Sequence, residues 1–151
     1  MTDQNTPYTI DFIHKIIEEC DQDDHIISYR LQRSDEMNIE YLKHSVKCKE
    51  TYGTLEHYVT CVILKDFTVD YVITDNNFPY YIEKGLKHKL LWTNKKMIKS
   101  EIEEIIRNKI SSRFVWFENL AINKSIPNIH HYHIIFDTNI AKDKEKITHN
   151  K

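Results

Sequence analysis

The chain has 151 residues, 40 % hydrophobic, 29 % charged and 11 % aromatic, with two glycines and three prolines. That supply of apolar and aromatic side chains can offset the entropy of ordering a chain, so one core-bearing domain is expected and collagenous, low-complexity or largely disordered character is excluded. Lys and Arg together number 21 against 23 Asp and Glu, a net charge of −2, which gives no global positive field for duplex DNA.

Met1 to Asn5 is polar and acidic where a secretory signal needs basic residues and then an apolar stretch. From Thr9, the residues Ile10, Ile13, Ile16, Ile17 and Cys20 fall on one helical stripe, and an acidic segment over 21–24 ends it. Ser34 before Asp35 and Glu36 predicts the N-cap of a second helix reaching about Tyr52, with Gly53 ending it. Thr54 then caps a helix that carries Leu55, Tyr58, Val59 and Val62 inward. After Lys65 the pattern changes. Thr68 to Thr74 alternates as a strand does, and Asp75 to Tyr81, closed by Gly85, reads as an ordered aromatic loop. Lys89 to Thr93 predicts a strand, and Ser100 with Glu103 predicts a capping box opening a helix with Ile102, Ile105, Ile106 and Ile110 inside. Strands at 113–117 and 131–136 follow, with a loosely held polar tail beyond Asp137. The division is a helix and acidic loop over 1–25, one α+β domain over 26–137 and a tail over 138–151.

The longest apolar runs, such as Cys61 to Leu64, fall far short of a membrane span of ~20 residues. Cys20, Cys48 and Cys61 are odd in number and widely spaced, so neither a disulfide framework nor a thiolate zinc site is indicated, and a cytosolic or nuclear location is expected. Cys20 and Cys61 read as small core residues. The four arginines, Arg30, Arg33, Arg107 and Arg113, are far outnumbered by lysines, whose runs at 84–89 and 95–99 read as solvated faces.

The residues fit for chemistry lie in the second half. In a strand at 131–136, His131 and His133 share one face; the same alternation groups His88, Leu90 and Trp92, and Phe114, Trp116 and Glu118. If these strands are neighbours, imidazole and indole rings gather in one concave polar and aromatic site. Three readings of the histidines stand open: a metal shell in which His88 or Asn77 joins the pair; phosphoester chemistry resembling the histidine-triad motif, though Ile135 stands where a third His would be; or imidazoles that only pin a loop by bonding its carbonyls. Trp92 and Trp116 are either core residues or a pair that sandwiches a base. Asn119 and Ser125 read first as turn and cap residues, and Phe78 to Tyr81 as a lid or plug. His14, His25, His44, His57 and His149 read as surface groups.

Several segments carry a resemblance when taken in order: Leu31 to Ser34, Tyr41-Leu42, Lys49 to Thr54, Asn76 to Tyr81, His88 to Trp92, Val115 to Asn119, and Ser125 through Ile134. Over roughly 26–137 the chain resembles the N-acetylglucosamine-induced protein family, best known from fungi. Asn77 stands where that family commonly has Asp, and Glu118 where Lys or another residue is common. The family's name records a transcriptional response and not a reaction, so what the resemblance implies is an intracellular globular protein. It also singles out Asn76, Pro79, Tyr80, His88, Trp92, Trp116, Asn119, Ser125, His131 and His133.

The expected fold is therefore α+β, with N-terminal helices packed on a small mixed or antiparallel sheet. The expected function is binding of a small polar ligand (a sugar, sugar phosphate or nucleotide) at Asn76, Asn77, Tyr80, His88, Trp92, Trp116, Asn119 and Ser125. The rivals are a hydrolase or transferase with His131 and His133 catalytic, and an adaptor for a protein or an RNA end such as a cap. No cofactor is called for, zinc being the one metal the histidines could invite, and neither duplex DNA nor a membrane is an expected partner.

Overall fold

In the computed structural model, Thr9 accepts the Phe12 N–H at 3.1 Å and opens helix α1 (Ile10–Glu18). The stripe read from the sequence turns inward, with Ile13, Ile16 and Ile17 buried; each such side chain is worth about 1.5–3 kcal/mol of burial. The structure describes residues 6–20, 24–65, 70–120, 124, 126 and 129–138. A short strand, β1 (Ile26–Ile27), precedes helix α2 (Asp35–Tyr52), which is capped by Ser34 accepting from Met37 N–H at 3.2 Å and closed by Gly53 at φ +86°.

Thr54 caps a single turn, α3 (Leu55–Tyr58), and the helix then widens into a π-turn over Val59–Ile63, where Leu64 N–H reaches Val59 O at 2.9 Å. The Thr60 hydroxyl donates to Glu56 O at 2.9 Å and competes for a carbonyl the α-helical ladder would use. The widening shifts the phase of the face. Ile63, not the expected Val62, packs with Val59, Leu64 and Trp92, while Val62 and Cys61 are exposed. Cys48 is the buried thiol instead.

Strands β2 (Tyr71–Asp75), β3 (Leu86–Thr93), β4 (Phe114–Asn119) and β5 (His130–Asp137) join β1 in a five-stranded mixed sheet of order β1-β4-β5-β3-β2; β1 runs parallel to β4 and the other pairs are antiparallel. The architecture is α+β. Helix α4 (Lys99–Lys109) has its N-cap at Ile98, two residues before Ser100, the expected cap. Glu101 accepts from Ile98 N–H at 3.3 Å, while Glu103, expected in the capping box, accepts from the Trp116 indole at 2.8 Å. A buried indole N–H needs an acceptor more than an exposed helix end does.

Strand alternation divides the core. On one face Leu91, Trp116, Tyr132, Ile134 and Phe136 pack with Ile102 and Ile106 of α4. On the other, Ile27, Val115, Phe117 and Ile135 pack with Tyr8 and the inner residues of α1, and farther along the same face Trp92 packs with Val59 and Leu64. The stretch of sheet between these last two clusters carries the histidines. Among the described residues no helix is long and apolar enough to cross a membrane.

Candidate functional site

The register decides which side chains meet. Across β5, Trp92 stands opposite His131 and Leu90 opposite His133, and on the other side Phe117 also stands opposite His133. Residues paired in this way share a face, so His131, His133, Leu90 and Trp92 form one surface. Asn119 extends it at the end of β4. Facing it, Tyr41 and His44 of α2, Tyr58 of α3 and Val59 and Ile63 of the π-turn enclose a cavity of about 680 Å³, a size that holds one small ligand. Arg30, Arg33, Asn76, Asn77, Tyr80 and Lys124 complete the lining. The π-turn is itself a wall of the cavity, as such turns often are at sites.

His88 lies on the same sheet face, two residues before Leu90, and is buried. Its Nε2 is 2.9 Å from His133 Nδ1, and its Nδ1 accepts from Tyr80 N–H at 3.3 Å. The proton positions follow. A backbone N–H can only donate, so His88 Nδ1 is bare, His88 Nε2–H donates to His133 Nδ1, and the proton of His133 sits on Nε2. The Asn119 amide end lying 3.3 Å from that Nε2 and 2.9 Å from the Tyr80 hydroxyl is then its oxygen; the two ends have the same shape, and only this choice avoids two donors facing each other. Both ring nitrogens of His133 are thereby spent inside the protein.

His131 differs. Its Nδ1–H donates to Ile129 O at 2.9 Å, which leaves Nε2 as a bare acceptor on a ring that lines the cavity. The ring also packs against Trp92, with centroids 5.0 Å apart. Burial holds all three imidazoles neutral. His88 is pushed down to about 3 by burial and then by the Arg33 charge; His133 lies well below 6.5 through burial and then His88; His131 is lowered by burial, partly offset by the Ile129 carbonyl. Burial likewise raises the Tyr80 phenol, which therefore stays a neutral O–H.

Of the residues singled out from sequence, His131, His133, Asn76, Asn77, Tyr80, Trp92 and Asn119 line the cavity. Asn76 Oδ1 accepts from Phe78 N–H at 2.9 Å and fixes the loop, and Phe78 itself sits against Tyr41 and His44. Ser125 lies outside the described residues. Trp116 is on the opposite face, edge-on to Tyr132 and stacked at 4.0 Å on His25, so the two indoles cannot sandwich one ring. Glu118, on the same parity as Trp116, pairs with Lys124. His25 and His44, expected at the surface, are half-buried, the first in the Trp116 stack and the second in the cavity wall.

Among the described residues no group of three or more His, Cys, Asp or Glu side chains is arranged to hold a metal ion. His88 and His133 turn their facing nitrogens on one another, which takes both from any shared shell with His131. The reading that His131 and His133 only pin a loop fits His131 Nδ1, which holds Ile129, and not His133, whose Nδ1 faces His88.

The profile of the family described as "Protein of unknown function (DUF3605)" matches residues 13–137. The chain belongs to that family. Within this DUF3605 domain fall all five strands and the whole described cavity lining, while Tyr8 of the core precedes it. The crystal structure of HTC1 is similar in fold, with a TM-score of 0.58 at 22 % identity, over 86 % of this chain and 85 % of that one. None of the curated proteins matches the chain.

Arg33, Tyr41 and Tyr58 were not singled out from the sequence as site residues. For Arg33 a signal existed, since an arginine is conspicuous in a chain that relies on lysine, and Leu31 to Ser34 is one of the segments that carry the resemblance.

Proposed function

We propose that this domain binds a small polar ligand in the cavity between the sheet and the α2–π-turn layer. The observation that carries the reading is a cavity of about 680 Å³ with a bare acceptor, His131 Nε2, beside the Trp92 ring. Tyr41 and Tyr58 add aromatic surface suited to the apolar faces of a sugar or base, and the neutral His131 imidazole and the Asn77 amide suit a ligand rich in hydroxyl or N–H groups. The resemblance to N-acetylglucosamine-induced proteins makes amino sugars and their phosphates the first compounds to test, followed by nucleotides and cap analogues.

The experiment is a thermal-shift panel of these compounds, since a ligand that binds only the native state raises the melting temperature. Trp92 lines the cavity and Trp116 does not, so the Trp116→Phe variant leaves one reporter indole at the site. A compound that raises the melting temperature should change Trp92 fluorescence with the same midpoint. If no compound in the panel does either, the reading fails.

A catalytic role is the second reading, and one observation favours it: the Ile129 carbonyl fixes the tautomer of His131 so that a bare Nε2 can accept a proton from a bound hydroxyl or water. On this reading His131 is the base and His133, with both nitrogens engaged, is a positioning residue. His131→Ala with the fold retained should then abolish turnover of any compound the panel finds to be consumed.

A further inference from the structure

We propose that Arg33 is an anion subsite of the cavity, and that the ligand carries a phosphate or carboxylate group which its guanidinium grips. The proposal deepens the binding reading and rests on it. Arg33 is half-buried, its Nε donates to Phe78 O at 2.7 Å, and its guanidinium lies 3.9 Å above the Tyr41 ring centroid. One edge and one face of the group are thus fixed by the protein. Among the described residues the two terminal nitrogens have no hydrogen-bond partner and no carboxylate within ion-pair distance.

The remaining charges around the cavity are already answered. Lys124 pairs with Glu118, and Asp75, the one carboxylate among the described lining residues, pairs with Lys89 at 2.7 Å. Burial keeps the His131 and His133 rings neutral. Among the described Lys and Arg side chains of the lining, Arg30 and Arg33 are the ones without an ion pair, and for Arg33 burial works against its charge without removing it. A partly desolvated cation held against a cavity without a counter-charge favours an anion there. A planar fork with its orientation set in advance matches the two oxygens of a phosphate or carboxylate and loses little freedom on binding. Arg107, by contrast, spends its guanidinium on Glu103 at 3.4 Å. The volume fits one small molecule and not a polymer. An extended RNA is therefore the outcome the test should exclude.

Inorganic phosphate is the direct probe, titrated against chloride at matched ionic strength and followed by melting temperature and by Trp92 fluorescence in the Trp116→Phe background. Glucose, glucose 6-phosphate and glucuronate are run beside it, to separate the sugar body from a phosphate or carboxylate source. Phosphate should protect the protein, at least one of the two anionic sugars should bind more tightly than glucose, and Arg33→Gln should raise the midpoint by about tenfold to a hundredfold, the worth of a charge-assisted fork. Arg33→Lys, which keeps the charge but not the fork, should recover only part of the loss. If Arg33→Gln does not fold, Arg30→Gln, at an exposed rim position, must weaken phosphate by a smaller factor. The proposal is overturned if phosphate gives no protection, if Arg33→Gln binds it as well as wild type, or if single-stranded RNA protects while every small anion fails. Protection by a neutral panel compound with none by any anion would overturn this proposal and leave the binding reading standing; no protection by any compound overturns both.

Discussion

Acid should unfold this protein through its enclosed imidazoles, and His88 sets the scale. Its ring titrates at about 3 in the fold against an ordinary 6.5, because burial and then the Arg33 charge oppose protonation. As pH falls the unfolded chain takes up this proton first. Stability is therefore intact above about pH 6.5 and is lost progressively down to about pH 3. At about pH 4.5 the unfolded ring has been charged over two units and the folded ring has not, and at about 1.4 kcal/mol per unit the loss is about 3 kcal/mol. For a domain of this size that is a fall of about 6–12 °C in melting temperature, and His131 and His133 add in the same direction. Urea unfolding followed by circular dichroism at about pH 7.5 and about pH 4.5 measures it in wild type and His88→Leu. At the higher pH the variant is weaker, because Tyr80 N–H and His133 Nδ1 lose their partner, at about 1–3 kcal/mol for each orphaned group. Its deficit against wild type should shrink by about 3 kcal/mol at the lower pH. A deficit that is the same at both would refute the claim that His88 is held neutral in the fold.

Other variants test the arrangement piece by piece. Tyr80→Phe removes the hydroxyl that meets Asn119 inside the protein and should cost about 1–2 kcal/mol in the same urea experiment; no change would mean that this bond is not formed. Glu103→Ala strands the buried Trp116 indole N–H and should lower stability by about 1–3 kcal/mol while leaving Trp92 fluorescence and any ligand midpoint unaltered, since Trp116 faces away from the cavity. Ser34→Ala removes the cap of α2 and should cost about 1 kcal/mol; a loss of several times that would show that the helix end does more than cap.

The sequence made the elements legible where local signals and burial agree. The stripe of α1, the Ser34 cap, the Gly53 stop and the alternation of β5 all appear as read, because each is decided within a few residues. The errors are non-local. Grouping Trp116 with the histidines needed the register of β4 on β5, and a register one residue away puts every side chain on the opposite face; Phe117, not Trp116, stands opposite His133. The π-turn at Val59–Ile63 moved the inner position from Val62 to Ile63 through a competing hydroxyl that a helical period does not reveal. Glu103 left its expected capping box for an indole brought near only by the tertiary fold. At the site, the facing of His131 and Trp92 followed from alternation once β3 and β5 were neighbours. The roles of Arg33 and Tyr41 depended on α2 and the 76–81 loop closing over the sheet, which no spacing in the chain encodes.

The measurement that bears most directly on the cavity as a ligand site is the long-range 1H–15N spectrum of the imidazole rings, recorded while the most stabilising panel compound is added. The account predicts that His131 Nε2, a bare acceptor in the free protein, shifts as it gains a donor, while the exposed His14 ring stays in place. Movement confined to exposed histidines, or a free-state His131 already protonated at Nε2, would contradict it.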